Sequence, residues 1–152
     1  MKTLADPNEL AEIVERLHRL SPEHIARWGR MSAHQTVCHL GDAMRVAVGR
    51  TTVSAASGPL QRTIVKWTAL YLPVRWPAGI PTRPELDQAA GGGTKPHEFA
   101  ADVRDLESLL RRIAEGPIDP CPAHPIFGPM SRRSWLRWAY LHADHHLRQF
   151  GE

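Results

Sequence analysis

The sequence is poor in cysteine and has no long apolar run. Its two cysteines, Cys38 and Cys121, form no CxxC pair and cannot build a disulfide framework. No stretch approaches the roughly 18 consecutive apolar residues of a membrane-spanning helix, and the first residues do not form a signal peptide. The net charge of +3 is too small to indicate a polyanionic partner, and no nucleic-acid-binding motif is present. We therefore expect a cytoplasmic protein that binds neither membranes nor nucleic acids.

Strand patterns are also absent, whereas apolar residues recur at helical spacing in several segments. The length of 152 residues suits one domain, 1–152, and a hydrophobic content of 42% is enough for one core. The predicted helices run from Pro7 to Leu20, from Ala33 to about Val48, from Pro59 to Leu72, from Pro96 to Glu115, and from a cap at Ser131 to about Phe150. The sequence thus predicts an all-α four-helix bundle with an additional short helix.

Prolines and glycines are concentrated in two connecting segments. Residues 73–96 include several prolines and three consecutive glycines, which predicts a long irregular loop. This loop is expected to act as a lid, as an interface arm or as a flexible cover. A second proline-rich connector covers residues 117–125.

Histidine is the unusual component, with nine residues, three of them between positions 142 and 146. His142 and His146 have i,i+4 spacing, so both side chains lie on one helix face, the face that also carries Trp135, Trp138 and Gln149. Two imidazoles on an inward, apolar face are costly unless a partner binds their lone pairs. A divalent metal is such a partner, because neutral imidazole is a common ligand.

A third ligand is expected from another inward-facing helix, since catalytic sites usually combine three protein ligands with an open position. His39, in the middle of the second predicted helix, is the best candidate. His145 has i,i+3 spacing to His142 and stays an alternative ligand. A further alternative is that the paired histidines are core residues hydrogen-bonded to Asp42 or Asp144.

Other polar residues are candidates for the surroundings of this site. Gln35, Asp42 and Gln149 are placed to orient ligands from the same helices. His145 and Arg148 are expected to act as a proton shuttle or a substrate anchor, or else as ordinary surface residues. His124 lies between two prolines and is expected either to reach the mouth of the site or to hold its connector. The remaining histidines are interpreted as solvated surface residues: 18, 24, 34 and 97.

The order of several motifs resembles the DUF1569 branch of the DinB/YfiT-like superfamily of metalloenzymes. The motifs are WGRMSAHQ at 28–35, CHL at 38–40, PTRPEL at 81–86, HPIFGPMS at 124–131 and HADHHLRQFG at 142–151. The resemblance extends over nearly the whole chain. It implies a four-helix bundle that holds a metal through His39, His142 and His146. It also implies that its relatives include metal-dependent hydrolases and transferases that use small thiols, and that dimers are common among them.

Two functional hypotheses follow. The first is a metal-dependent enzyme, of hydrolase or thiol-transferase type, with zinc or nickel at the three histidines. Its substrate would be a small molecule, and a low-molecular-weight thiol is one candidate. The second is a non-enzymatic module that binds a small molecule or forms a homodimer, with a structural or vestigial metal site. The sequence names neither the substrate nor the metal.

Overall fold

The computed structural model describes residues 1–118 and 121–152, and this part of the chain is all-helical with no β-strand. Its five α-helices are α1 (Pro7–Arg19), α2 (Ala33–Ala47), α3 (Lys66–Tyr71), α4 (Phe99–Glu115) and α5 (Arg132–Gln149). The all-α class predicted from the sequence is therefore confirmed. Asp119 and Pro120, part of the predicted 117–125 connector, lie outside the described residues.

Side-chain caps set the starts of three of the helices near the predicted positions. Asp6 accepts a hydrogen bond from the Asn8 amide before Pro7 opens α1. Ser32 begins α2 with a capping box, and Ser131 begins α5 by accepting from the Ser134 amide. These caps satisfy amide groups that have no partner within the helix.

Two predicted helices differ from the structure in detail. The segment predicted as one helix from Pro59 to Leu72 is helical from residue 59 to residue 71, but a π-helical turn, Gln61–Val65, lies within it before the short α3. The helix predicted from Pro96 begins at Phe99, because the Glu98 carboxylate accepts the first free amides, at residues 100 and 101.

The four longest helices enclose the core. α2 packs against α4 and α5, and α1 packs against the same two helices. Their inward faces bury large apolar side chains, among them Ile13, Met44, Leu106, Ile113 and Trp135. In the described part of the chain, no helix is both long and apolar enough to span a bilayer. This packing brings the middle of α2 beside the C-terminal half of α5.

The segment between α3 and α4 is not regular throughout, but it is tied to the helices. It contains two short 3-10 turns, Pro84–Leu86 and Gln88–Ala90, and both contact α2. Leu86 and Gln88 are buried although they belong to a connecting segment. This part of the loop therefore packs as a fixed layer over α2.

Candidate metal centre

Three histidines from two helices meet in the interior. His39 lies in the middle of α2, and His142 and His146 lie one turn apart on α5. One ring nitrogen from each lies within 4.8 Å of the other two, and the ring centroids are 4.8 to 5.2 Å apart. The Nε2 atoms of His39 and His142 are 3.3 Å apart. The fold thus brings together the three residues that the sequence selected.

The three imidazoles are neutral near pH 7. Burial lowers the pKa of His39, and it lowers the pKa of His142 and of His146 well below the usual range. Repulsion between the protonated rings lowers the pKa values of His142 and His146 further. His39 and His146 are buried, whereas His142 keeps partial exposure. Each ring therefore has a lone pair to offer, and His142 is the least buried of the three residues.

Hydrogen bonds fix the orientation of two of these rings. His39 donates its Nδ1–H to the carbonyl oxygen of Leu86 over 2.9 Å. His146 donates its Nδ1–H to Oε1 of Gln149 over 3.0 Å. The direction follows because the amide NH2 of Gln149 donates to the Trp28 carbonyl, which leaves Oε1 facing His146 as an acceptor. A proton held on Nδ1 leaves Nε2 with its lone pair in both rings. Gln149, a predicted neighbour of the site, thus contacts one of the predicted ligands.

The donor set fits a divalent transition metal. Nδ1 of His142 is buried and has no hydrogen-bond partner among the described residues, and Nε2 of the same ring contacts only another ring nitrogen, Nε2 of His39. Tetrahedral zinc with bonds of about 2.0 to 2.1 Å places its ligand nitrogens about 3.3 Å apart, the spacing seen between His39 and His142. Three neutral imidazoles suit both zinc and nickel.

Asp42 makes no hydrogen bond to the histidine cluster in the described structure; its charge acts to raise the pKa of His39, and its hydrogen bonds go to the loop of residues 73–96 and to Arg45. Its carboxylate accepts hydrogen bonds from the Thr94 amide at 2.7 Å, from the Thr94 hydroxyl at 2.6 Å and from the Gln88 side chain at 3.3 Å. It also pairs with Arg45 at 2.9 Å. Gly93 allows this approach, since a Cβ there would lie 2.6 Å from the carboxylate and its φ is +70°. Asp42 therefore anchors the loop that presents the Leu86 carbonyl.

Gln35 makes its hydrogen bonds to backbone groups and not to His39. Its Oε1 accepts from the Ser32 amide in the capping box, and its Nε2 donates to the Gln88 carbonyl. The S-x-x-Q spacing at 32–35 is the sequence signal for this capping role. Gln35 thus holds both the start of α2 and the second 3-10 turn.

His145 and Arg148 occupy different surroundings from each other. His145 is buried, and its Nδ1 has no partner in the described part of the chain. Its ring centroid is 6.1 Å from those of both Trp28 and Trp76. Arg148 instead donates to Asp144 at 2.9 Å. Of the two, only His145 borders the histidine cluster with an unused polar atom.

His124 holds its connector together. Its Nδ1 accepts the amides of Ile126 and Phe127, both at 3.1 Å, and its ring stacks on Phe127. The ring of Trp138 contacts both His124 and His142, with centroids 5.0 and 4.6 Å away. Burial lowers the pKa of His124 to about 3. Of the two roles considered from the sequence, the geometry matches the holding of the connector.

Trp28 and Trp76 border the site, and sequence reasoning assigned neither of them to it. The Trp76 ring is 6.2 Å from His142 and 6.1 Å from His145, and its indole N–H donates to the Ala69 carbonyl. The available signal was an aromatic side chain inside a proline-rich loop, where apolar residues are otherwise sparse. Both tryptophans are partly exposed and form an aromatic rim.

A second polar cluster lies between α2 and α4. The Asp102 carboxylate accepts from His34 at 2.6 Å and from the Cys38 thiol at 3.7 Å. Burial and the nearby Asp102 raise the pKa of Cys38 to about 12, so the thiol stays protonated. His34 was interpreted as a solvated residue, but it is partly buried and paired across two helices. These hydrogen bonds join α2 to α4, which explains the cluster as a structural contact between the two helices.

Comparison with known proteins identifies one family. The model of the family described as "Protein of unknown function (DUF1569)" matches residues 4–152. No curated protein and no solved structure matches the chain.

Proposed function

We propose that this chain, which belongs to the DUF1569 family, is a metal-dependent enzyme of the hydrolase or thiol-transferase type that acts on a small molecule. The observation that carries the proposal is the convergence of three neutral imidazoles, two of which have their Nδ1–H groups committed to protein acceptors. The arrangement of α1, α2, α4 and α5 around one core supports the further proposal of a DinB/YfiT-like four-helix bundle.

His39, His142 and His146 would hold the metal, for which zinc and nickel are the best candidates. When bound, the metal supplies a Lewis acid that polarises a substrate or lowers the pKa of a coordinating group. The three ligands carry no charge, so they leave the full charge of a divalent cation uncompensated. An anionic substrate group, such as a thiolate or a carboxylate, is therefore favoured.

The chain's other residues prepare this site. Gln149 and the Leu86 carbonyl keep the Nε2 lone pairs of two ligands available, and Asp42 keeps the loop with Leu86 in place. Trp76 provides apolar surface beside His142 and Trp28 provides it beside His145, and both would exclude water from one side of a bound molecule. His145 lies beside the same rim, and its buried Nδ1 has no partner in the described part of the chain.

Metal analysis of protein purified without a histidine tag tests the proposal. We expect about one equivalent of zinc or nickel per chain, and we expect His142→Ala to abolish it. Binding far below one equivalent in the wild type, after exposure to both metals, would contradict the proposal.

Activity of the metal-loaded protein then separates the two hypotheses. Hydrolysis of ester or amide panels, or metal-dependent transfer to a small thiol, is expected for the enzyme. Full metal occupancy without turnover on either panel would favour the alternative, a non-enzymatic module in which the metal has a structural or vestigial role.

A further inference from the structure

Exposed apolar side chains are concentrated in residues 60–80, hereafter the basic apolar segment. This segment contains six of the eight large hydrophobic residues that are most exposed in the described structure: Leu60, Ile64, Val65, Trp67, Val74 and Ile80. Ile64 and Trp67 are 62% and 58% exposed and follow Leu60 at roughly one-turn spacing along the same helical run. An exposed apolar surface of this kind usually marks an interaction site.

The charge around this segment has a single sign. No Asp or Glu occurs between Asp42 and Glu85, whereas this interval holds six basic residues: Arg45, Arg50, Arg62, Lys66, Arg75 and Arg83. Arg45 pairs with carboxylates of α2 and α4. In the described structure, Arg62 bonds to the Ser57 hydroxyl and Lys66 to the Pro129 carbonyl, so both keep their charge uncompensated.

We propose that the basic apolar segment docks the protein on an anionic lipid surface. A helix that presents Trp and aliphatic residues beside Lys and Arg is suited to lie at the interface of a bilayer, with the apolar residues inserted and the cations near the headgroups. Indole side chains favour this interface, and Trp67 is the most exposed aromatic residue of the segment.

Charge argues against a second copy of the chain as the occupant. Two such segments facing each other across a twofold axis would bring Arg62, Lys66 and Arg75 of both copies together without carboxylates between them. A phospholipid surface with negative headgroups provides the missing counter-charge. It also covers apolar side chains without requiring a pocket of matching shape.

Vesicle sedimentation tests the proposal. The full-length protein is mixed with vesicles of phosphatidylcholine alone and with vesicles that contain about 30% phosphatidylserine. We expect binding to the anionic vesicles and much weaker binding to the neutral ones. Each of Arg62→Gln, Lys66→Gln and Arg75→Gln is expected to weaken binding about five-fold, and high salt is expected to weaken it as well.

Matched variants outside the segment control for general surface effects. Ile64→Ser and Trp67→Ser are expected to abolish binding, whereas Ile25→Ser, at a site that is 88% exposed, leaves it unchanged. Arg104→Gln on α4 is the control for charge. Circular dichroism verifies that each variant is folded.

Three results would overturn the proposal. They are no binding to anionic vesicles, equal binding to neutral vesicles, and a dimer in ultracentrifugation that Ile64→Ser dissociates. The third result would assign the surface to a second copy of the chain.

Discussion

Replacement of Gln149 by leucine isolates the orientation of one metal ligand. Gln149 is 3% exposed, and it accepts from His146 while it donates to Trp28. Leucine has a similar size but no polar atom, so the buried Nδ1–H of His146 loses its acceptor. The ring is then free to move its proton to Nε2, the atom needed for the metal. Loss of such an outer contact typically weakens metal affinity 10- to 100-fold, or about 1.4 to 2.7 kcal/mol.

The assay is a competition titration of zinc between the protein and a chromophoric chelator. Gln149→Glu is the comparison variant, because it keeps an acceptor for His146 while it replaces the donor to Trp28 with a carboxylate oxygen. We expect Gln149→Leu to raise Kd at least about 10-fold and Gln149→Glu to leave it within about 3-fold. The reasoning fails if the folded leucine variant binds as tightly as the wild type, or if both variants lose affinity equally.

Three further predictions concern the loop, acid stability and metal removal. Asp42→Asn places an amide group against the two donors of Thr94, so it should loosen the loop whose Leu86 carbonyl orients His39. Zinc binding should then be about 10-fold weaker in the same titration. Asp105→Asn removes only the exposed partner of Arg45 and should bind zinc normally; an equal effect of both would contradict the loop argument. Burial lowers the pKa of His124 from 6.5 to about 3, so its share of stability is present above pH 6.5 and is lost as pH falls toward 3. Urea unfolding of His124→Asn should therefore show a pH slope that is shallower by about 1.4 kcal/mol per unit near pH 4 to 5.5, and an unchanged slope would refute this. When free zinc is 100 times Kd, its binding adds about 2.7 kcal/mol to the free energy of unfolding, so chelation should remove that amount and lower Tm. His142→Ala should melt at the same Tm with and without chelator.

Local sequence signals predicted much of the helical framework. The bounds of α1, α2 and α5 follow from caps and from periodicity, since Asp6, Ser32 and Ser131 supply hydrogen bonds within their own helices. The i,i+4 spacing of His142 and His146 likewise needs only helix geometry. The choice of His39 required one further argument, that its helix face points inward.

Contacts between distant segments were beyond the reach of these signals. The acceptor for His39 is a backbone carbonyl, that of Leu86, 47 residues later, and a carbonyl carries no mark in the sequence. Trp76 approaches His142 because its loop folds back over the helices, which no periodic pattern predicts. Asp42 was expected beside His39, but its bonds to Thr94 depend on the same loop.

The average charge of the chain also concealed a local feature. A net charge of +3 argued against a polyanionic partner, yet all sixteen acidic residues lie outside the interval from residue 43 to residue 84. Averaging over the chain hides such an interval, and only the structure reveals that its apolar side chains are exposed. The sequence predicts that the protein binds no membrane, and the vesicle experiment tests that prediction against the proposed docking.

Anomalous diffraction from crystals of zinc- or nickel-loaded protein tests the central claim most directly. We predict one strong anomalous peak, at the absorption edge of the metal, bonded to Nε2 of His39, His142 and His146 at about 2.0 to 2.1 Å. The absence of a peak between these rings at full metal loading, or a peak confined to His34, Cys38 and Asp102, would contradict it.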